Sequence, residues 1–262
     1  SCRCNAGRGP FMTSASISSI GQPKAATRQA PDAALVAAVA EKSALVMARL
    51  NTIIDRHPNV VLANSLGAED MVLMDMICKD NLPIGIFTLD TGRLNEETYA
   101  LLAKAQQQYG RDIEIMTPDY KQLEPWVREH GINGFYDSVE NRKACCQIRK
   151  LEPLARALKG KDAWITGLRA AQSVTRQNMD WEDFDTLNNL PKFNPLIEWS
   201  EKEIWAYIDL NNVPYNALHD RFYPSIGCAP CTRAITPGED VRAGRWWWEN
   251  PETKECGLHK AK

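Results

Sequence analysis

Asn59-Val60-Val61-Leu62-Ala63-Asn64-Ser65-Leu66-Gly67-Ala68-Glu69-Asp70 is the stretch from which the fold can be read. Residues 59–64 are apolar and β-branched, which predicts a short buried strand. Ser65-Leu66-Gly67 predicts a tight turn of small residues, and the residues beyond it, through Cys78, predict a helix. Strand, turn and helix N-terminus together make an anion cradle, because free backbone N–H groups and the helix dipole face the same point. It is not a Walker A loop, since no Gly-Lys-Ser/Thr follows. The same residues can equally be read as an N-cap by Ser65 with an acidic first turn. The turn alone does not choose between the two.

Outward from this stretch the pattern repeats. Upstream, Leu35, Val39, Leu45, Leu50 and Ile54 recur at helical spacing among alanines, predicting a helix over 33–54. Downstream, strands are predicted at 84–89, 113–116 and 163–166, with helices at 95–109, 121–130 and 146–158 between them. Alternating strands and helices imply right-handed βαβ units and a parallel sheet covered on both faces. Ligands on such sheets bind beyond the carboxyl ends of the strands. Three polar turns fall at those ends: Ser65-Leu66-Gly67, Asp90-Thr91-Gly92-Arg93, and Gly167-Leu168-Arg169 continuing to Gln172, Ser173 and Arg176. One nucleotide can touch all three. Arg169 and Arg176 either bracket its phosphate or face solvent.

Four cysteines form the second signal. Cys145 and Cys146 are adjacent, although neighbouring side chains on a helix diverge by about 100°, and adjacent cysteines make a strained disulfide. Cys228-Ala229-Pro230-Cys231 has the spacing of a metal or redox site. Two plus two thiolates suit a Cys4 zinc site or an iron–sulfur cluster, and a cluster is the better reading. Cys78 reads as a small buried hydrophobe.

Composition excludes several classes. The chain has 262 residues, 44% of them hydrophobic, enough for one sizeable core. A formal charge of −2 gives no electrostatic case for nucleic-acid or membrane binding, and no apolar run has the roughly 18 residues of a membrane span. Eight cysteines without a secretory leader suggest thiols kept reduced in the cytoplasm. Residues 1–31, rich in Ser, Ala, Gly and Pro, read as a disordered tail in which Cys2 and Cys4 are incidental. Residues 32–241 read as a single α/β domain, and 242–262 as a mobile C-terminal segment.

That segment carries Cys256 in Lys254-Glu255-Cys256-Gly257-Leu258-His259. Such a position offers a thiol little packing role, and the neighbouring cations Lys254, His259 and Lys260 lower its pKa. Just upstream, three successive tryptophans, Trp246 to Trp248, cannot share one core, so at least one packs under the tail or against a partner subunit. Ser200 and Glu203 form a capping box that opens a helix ahead of the second cysteine pair.

Taken together, Ser65-Leu66-Gly67-Ala68-Glu69-Asp70, Leu89-Asp90-Thr91-Gly92-Arg93, Cys145-Cys146, Cys228-Ala229-Pro230-Cys231 and Glu255-Cys256-Gly257-Leu258-His259 occur in an order that resembles the assimilatory sulfonucleotide reductases, most nearly the bacterial adenylyl-sulfate (APS) reductases. The resemblance runs from about residue 35 to the end. It implies an adenine-nucleotide α-hydrolase-like fold related to the ATP pyrophosphatases. It also implies one 4Fe-4S cluster on Cys145, Cys146, Cys228 and Cys231, and Cys256 as the nucleophile that takes the sulfur of APS as an S-sulfocysteine. Sulfite is then released by thioredoxin or a similar dithiol protein. Substrate contacts carried over are Ser65, Gly67, Leu89, Thr91, Lys150, Gly167, Arg169, Arg242, Arg245 and His259. Lys150 lies four residues beyond Cys146, so on a helix the two share a face between cluster and sulfate. Read without the resemblance, Lys150, Arg242 and Arg245 would be solvated surface charges. A homo-oligomer is compatible with all of this.

Rival readings are few. A structural Cys4 zinc protein fits poorly with adjacent cysteine ligands and nucleotide-like turns. An adenylating ATP pyrophosphatase would carry a Ser-Gly-Gly-x-Asp-Ser-like loop and would leave Cys256 unexplained. Within the family, 3′-phosphoadenylyl sulfate (PAPS) is the nearer alternative, and the four-cysteine pattern favours APS.

Overall fold

The computed structural model describes residues 28–172 and 179–250 together with Lys254 and Gly257. Cys2, Cys4, Ser173, Arg176, Cys256 and His259 therefore lie outside the described residues. Helix α1 (Ala33–Arg56) opens on Asp32, whose carboxylate accepts from the Leu35 amide. The chain continues through β1 (Val60–Ala63), α2 (Ala68–Lys79), β2 (Gly85–Leu89), α3 (Glu96–Tyr109), β3 (Glu114–Met116) and α4 (Tyr120–His130). Next come α5 (Val139–Cys146), α6 (Glu152–Leu158), β4 (Ala163–Ile165), β5 (Glu182–Asp185), β6 (Leu190–Phe193) and α7 (Glu201–Asn211). The capping box of Ser200 and Glu203 is present at the start of α7. Arg28 stacks 3.9 Å over the Trp205 ring and pairs with Asp220, so the folded body takes in residues ahead of the boundary expected at 32.

Six strands form one sheet in the order β3-β2-β1-β4-β6-β5. β1 lies between β2 and β4, with Leu62 opposite Ile86 on one side and Ile165 on the other. Chain order reverses at β1, so the crevice between the β1 and β4 ends is the switch point where α/β sheets bind ligands. Strand alternation divides the core. Val60, Leu62, Ile86 and Ile165 face α1, α2, α3 and α7, while Val61, Phe87 and Trp164 face α6.

Two sequence expectations need correction. The sheet is mixed, because β5 runs antiparallel to β6. This hairpin was not foreseen, since Glu182-Asp183-Phe184-Asp185 is an acidic edge strand with no apolar run to announce it. The helix expected at 146–158 begins earlier, at Val139, capped by Ser138, and passes through a π-helical segment, Gln147–Leu151, before α6. Cys78 is half-buried against the main core, close to the expectation. All five described cysteines are free thiols.

Candidate active site

Beyond the strand ends lies a cleft of about 580 Å³, large enough for a nucleotide. The three polar turns foreseen from the sequence all line it: Ser65 and Gly67 after β1, Leu89 and Thr91 at the end of β2, and Gly167 and Arg169 after β4. They meet because β1 is the central strand and β2 and β4 are its hydrogen-bonded neighbours. Lys150, Arg242 and Arg245 also line the cleft, beside Arg28 and Arg169. Arg245 is buried, with its guanidinium packed against Gly227, where any Cβ would collide with it. It is therefore not surface charge.

The turn after β1 corrects one sequence reading, the N-cap by Ser65. The N-cap of α2 is Gly67, without a side-chain cap. Ser65 instead donates its amide (2.7 Å) and its hydroxyl (2.5 Å) to Asp70, whose other carboxylate oxygen accepts from the Gly167 amide at 2.9 Å. Asp70 thus ties the β1 turn to the β4 turn and takes up donors that a ligand anion would otherwise meet. Leu66 is held at φ 63°, a left-handed conformation uncommon outside glycine. A Cβ at Gly167 would overlap the Asp70 carboxylate, so glycine is required there. Burial pushes Asp70 up to about 6, with the hydrogen bonds from Ser65 opposing the shift. Beside it, Glu69 accepts from Arg169 at 2.8 Å and Gln172 at 3.0 Å. Arg169 is buried and ion-paired, and does not face solvent.

Cys145, Cys146, Cys228 and Cys231 line one small pocket next to the cleft, with Arg93, Arg142, Arg149, Lys150 and Trp246. The π segment places Cys146 and Lys150 on the same wall, as the sequence predicted for a plain helix. Thr91 is buried, with its hydroxyl 3.2 Å from the Cys228 sulfur, and Arg149 donates to the Thr91 carbonyl at 2.6 Å. Burial raises Cys145, with Arg149 and Lys150 pulling the other way. Burial, then the charge of Cys228, pushes Cys231 up to about 12. The thiols are thus close enough to repel one another once ionised. Among the described residues, no three His, Cys, Asp or Glu side chains are grouped about a single ion position. Four thiols lining one pocket, ringed by cations able to balance a net anionic centre, fit a polynuclear iron–sulfur group.

Lys150 and Trp246 line both the cleft and the cysteine pocket. Trp246 is buried at φ 41°, its ring 4.7 Å from both the Arg142 and the Arg245 guanidinium carbons. Arg142 makes a two-pronged ion pair with Glu249, both bonds 2.7 Å, fastening residues 242–250 to α5. The three tryptophans divide as expected: Trp246 inside, Trp248 half-buried, Trp247 exposed. Arg242 donates to the Lys254 carbonyl at 3.2 Å, and Gly257 (φ 85°) lies against Leu151. The described residues on either side of Cys256 thus sit at the rim of the cleft and beside the π segment.

Sequence reasoning missed Asp70, Glu69, Arg142, Arg149 and His219. Only an acid three residues past the turn glycine hinted at the first. His219 lines the cleft, with a buried Nε2 that has no hydrogen-bond partner among the described residues. Burial lowers its pKa, against the opposing charge of Glu69, and so favours the neutral ring.

Residues 59–234 match the phosphoadenosine phosphosulfate reductase domain. The adenosine 5′-phosphosulfate reductase of Allochromatium vinosum is 60% identical over 77% of this chain and 79% of its own length. That of Burkholderia cepacia is 52% identical over 86% and 90%. Among solved structures, the phosphoadenylyl-sulfate reductase of Candida auris superposes with a TM-score of 0.63 at 25% identity, covering 80% of this chain and all of that one. Yeast FAD synthetase, at 12% identity and TM-score 0.55, covering 78% of this chain and 70% of its own, shares the fold. The architecture is the adenine-nucleotide α-hydrolase-like one, and the chain belongs to the phosphoadenosine phosphosulfate reductase family.

Proposed function

We propose that this protein reduces adenylyl sulfate to sulfite and AMP in sulfate assimilation, with Cys256 as nucleophile and reduced thioredoxin or a similar dithiol protein as donor. The observation that carries the reading is the wall shared by the nucleotide cleft and the four-cysteine pocket, with Lys150 on both sides of it. The high identity to proteins named adenosine 5′-phosphosulfate reductase supports APS over PAPS.

In this reading Ser65, Gly67, Leu89, Thr91, Gly167 and Arg169 hold the nucleotide, while Lys150, Arg242, Arg245 and His259 meet the phosphate and sulfate oxygens. These cations balance the charge that builds on the phosphate as it leaves. The Cys256 thiolate attacks the sulfur, and AMP departs with the electron pair of the broken S–O bond. An S-sulfocysteine remains. A partner thiolate then attacks the Cys256 sulfur and sulfite leaves with the S–S electron pair. The partner's second thiol frees Cys256, so the dithiol supplies both electrons. Cys145, Cys146, Cys228 and Cys231 would hold a 4Fe-4S cluster; that all four thiols line one pocket supports this reading. When bound, such a cluster supplies a fixed charged body joining α5 to the 228–231 loop, which Lys150 faces from the substrate side.

The test is intact-protein mass spectrometry of the anaerobically purified, reduced enzyme mixed with APS and no thioredoxin. A sulfonate adduct mapped to Cys256, released by thioredoxin as sulfite, is the expected result. An adduct with PAPS but none with APS would move the substrate to the alternative. No adduct with either would sink the reductase reading.

A further inference from the structure

We propose that an aromatic ledge beside the cysteine pocket, made by Tyr136 and Trp247 with the exposed Ile132 on the turn leading into Tyr136, is the docking surface for the dithiol protein that regenerates Cys256. The inference rests on the thiol-exchange reading above and adds where the partner sits.

All three side chains are open to solvent: Tyr136 and Trp247 are each 40% exposed and Ile132 is 58% exposed. The ledge is also rigid. Tyr136 donates its hydroxyl to the Pro230 carbonyl at 2.6 Å, between the two cysteines of the second pair. Its ring meets Trp248 edge-on at 4.6 Å and Trp247 at 6.4 Å, and the two indoles stand perpendicular at 4.8 Å. Phe135, beneath, is buried and packs on Tyr136 at 4.5 Å. Rings held in place in the free protein lose little entropy on binding, and Trp and Tyr are the residue types that dominate interface energies.

Covalent reach and redox balance identify the occupant. Cys256 is six residues beyond Asn250, and six residues span at most about 20 Å. Any protein thiol that attacks Cys256 must therefore come down close to the root of this segment. The ledge is continuous with that root, because Trp247 and Trp248 lie three and two residues ahead of Asn250. Regeneration consumes two electrons and forms a disulfide on the donor, so the visitor is a dithiol protein. The ledge side chains themselves carry no charge, so the fitting partner surface is apolar round its reactive thiol.

The experiment uses cluster-loaded, full-length enzyme carrying Trp247→Ser with Ile132→Ser, and separately Ile132→Lys at the most exposed position. Three rates are measured: adduct formation from APS, sulfite release by dithiothreitol, and sulfite release by reduced thioredoxin. The first two are expected within about twofold of the parent, and the KM for thioredoxin to rise about tenfold or more, the size expected for losing an interface anchor. Unchanged thioredoxin kinetics would overturn the proposal. So would a fall in oligomeric mass by light scattering in the variants, which would make the ledge a contact between copies of this chain. Absence of any adduct in the parent would instead strike the Cys256 reading on which the ledge depends.

Discussion

Asp70 shows how much one side chain can organise without being readable as functional. Its carboxylate is buried, accepts three hydrogen bonds and still titrates near 6, so desolvation outweighs the donors. The folded pKa lies above the unfolded value of about 4. The stabilising contribution is therefore full below pH 4 and is lost as pH rises through 6. Relative to Asp70→Asn, which does not titrate, the parent should lose on the order of 3 kcal/mol of stability between pH 4 and pH 7, as read from urea unfolding at each pH. Parallel stability curves would refute this. A carboxylate kept at such a cost indicates that the tie between the β1 and β4 turns matters for the cleft. Asp70→Asn should accordingly weaken AMP binding about tenfold, the loss expected when a charged hydrogen-bond partner goes. Isothermal titration checks it. None of this was legible, because Asp70 and Gly167 are 97 positions apart. The turns themselves were legible, since small polar residues after an apolar run mark a strand end wherever the partner strand lies.

Among the elements, the helix bearing the adjacent cysteines was legible in kind but not in form. Alternation of strands and helices announced the βαβ units, yet nothing in the composition of Gln147-Ile148-Arg149-Lys150-Leu151 marks a π segment. The shift from i→i+4 to i→i+5 bonding is set by what the wall must present: two consecutive cysteines, Arg149 and Lys150 toward one pocket. Deleting Gln147, which is exposed, removes the extra residue and lets the helix close as regular α. Five π residues wind through about the same angle as four α residues, so α5 and α6 keep their relative phase while the spread of Cys146, Arg149 and Lys150 round the pocket wall is altered. The variant should keep its far-UV circular dichroism and lose most of its bound iron. Retention of full iron content would show that the π segment is not what aims the thiols. The β5–β6 hairpin failed for a different reason: an acidic edge strand is hydrated on one side and needs no apolar signature.

Across the whole molecule, the cleft and the cysteine pocket are held in register by one buried ion pair. Arg142 on α5 and Glu249 ahead of the tail have side chains 1% and 2% exposed. They fasten the segment that supplies Arg242, Arg245 and Trp246 to the helix that supplies Cys145 and Cys146. A buried pair of this kind adds little stability over an apolar replacement, but losing one partner strands the other charge. Glu249→Gln should therefore cost about 3 kcal/mol or more in chemical denaturation, and Arg142→Met with Glu249→Met should recover most of it. The function reading adds a second consequence. In Glu249→Gln the cationic wall is no longer fixed against the π segment, so adduct formation at Cys256 should slow at temperatures where the protein is still folded. Stopped-time mass spectrometry on folded Glu249→Gln separates the two effects. A normal adduct rate in a destabilised variant would mean that the pair holds the fold alone, and that the wall finds its place without it.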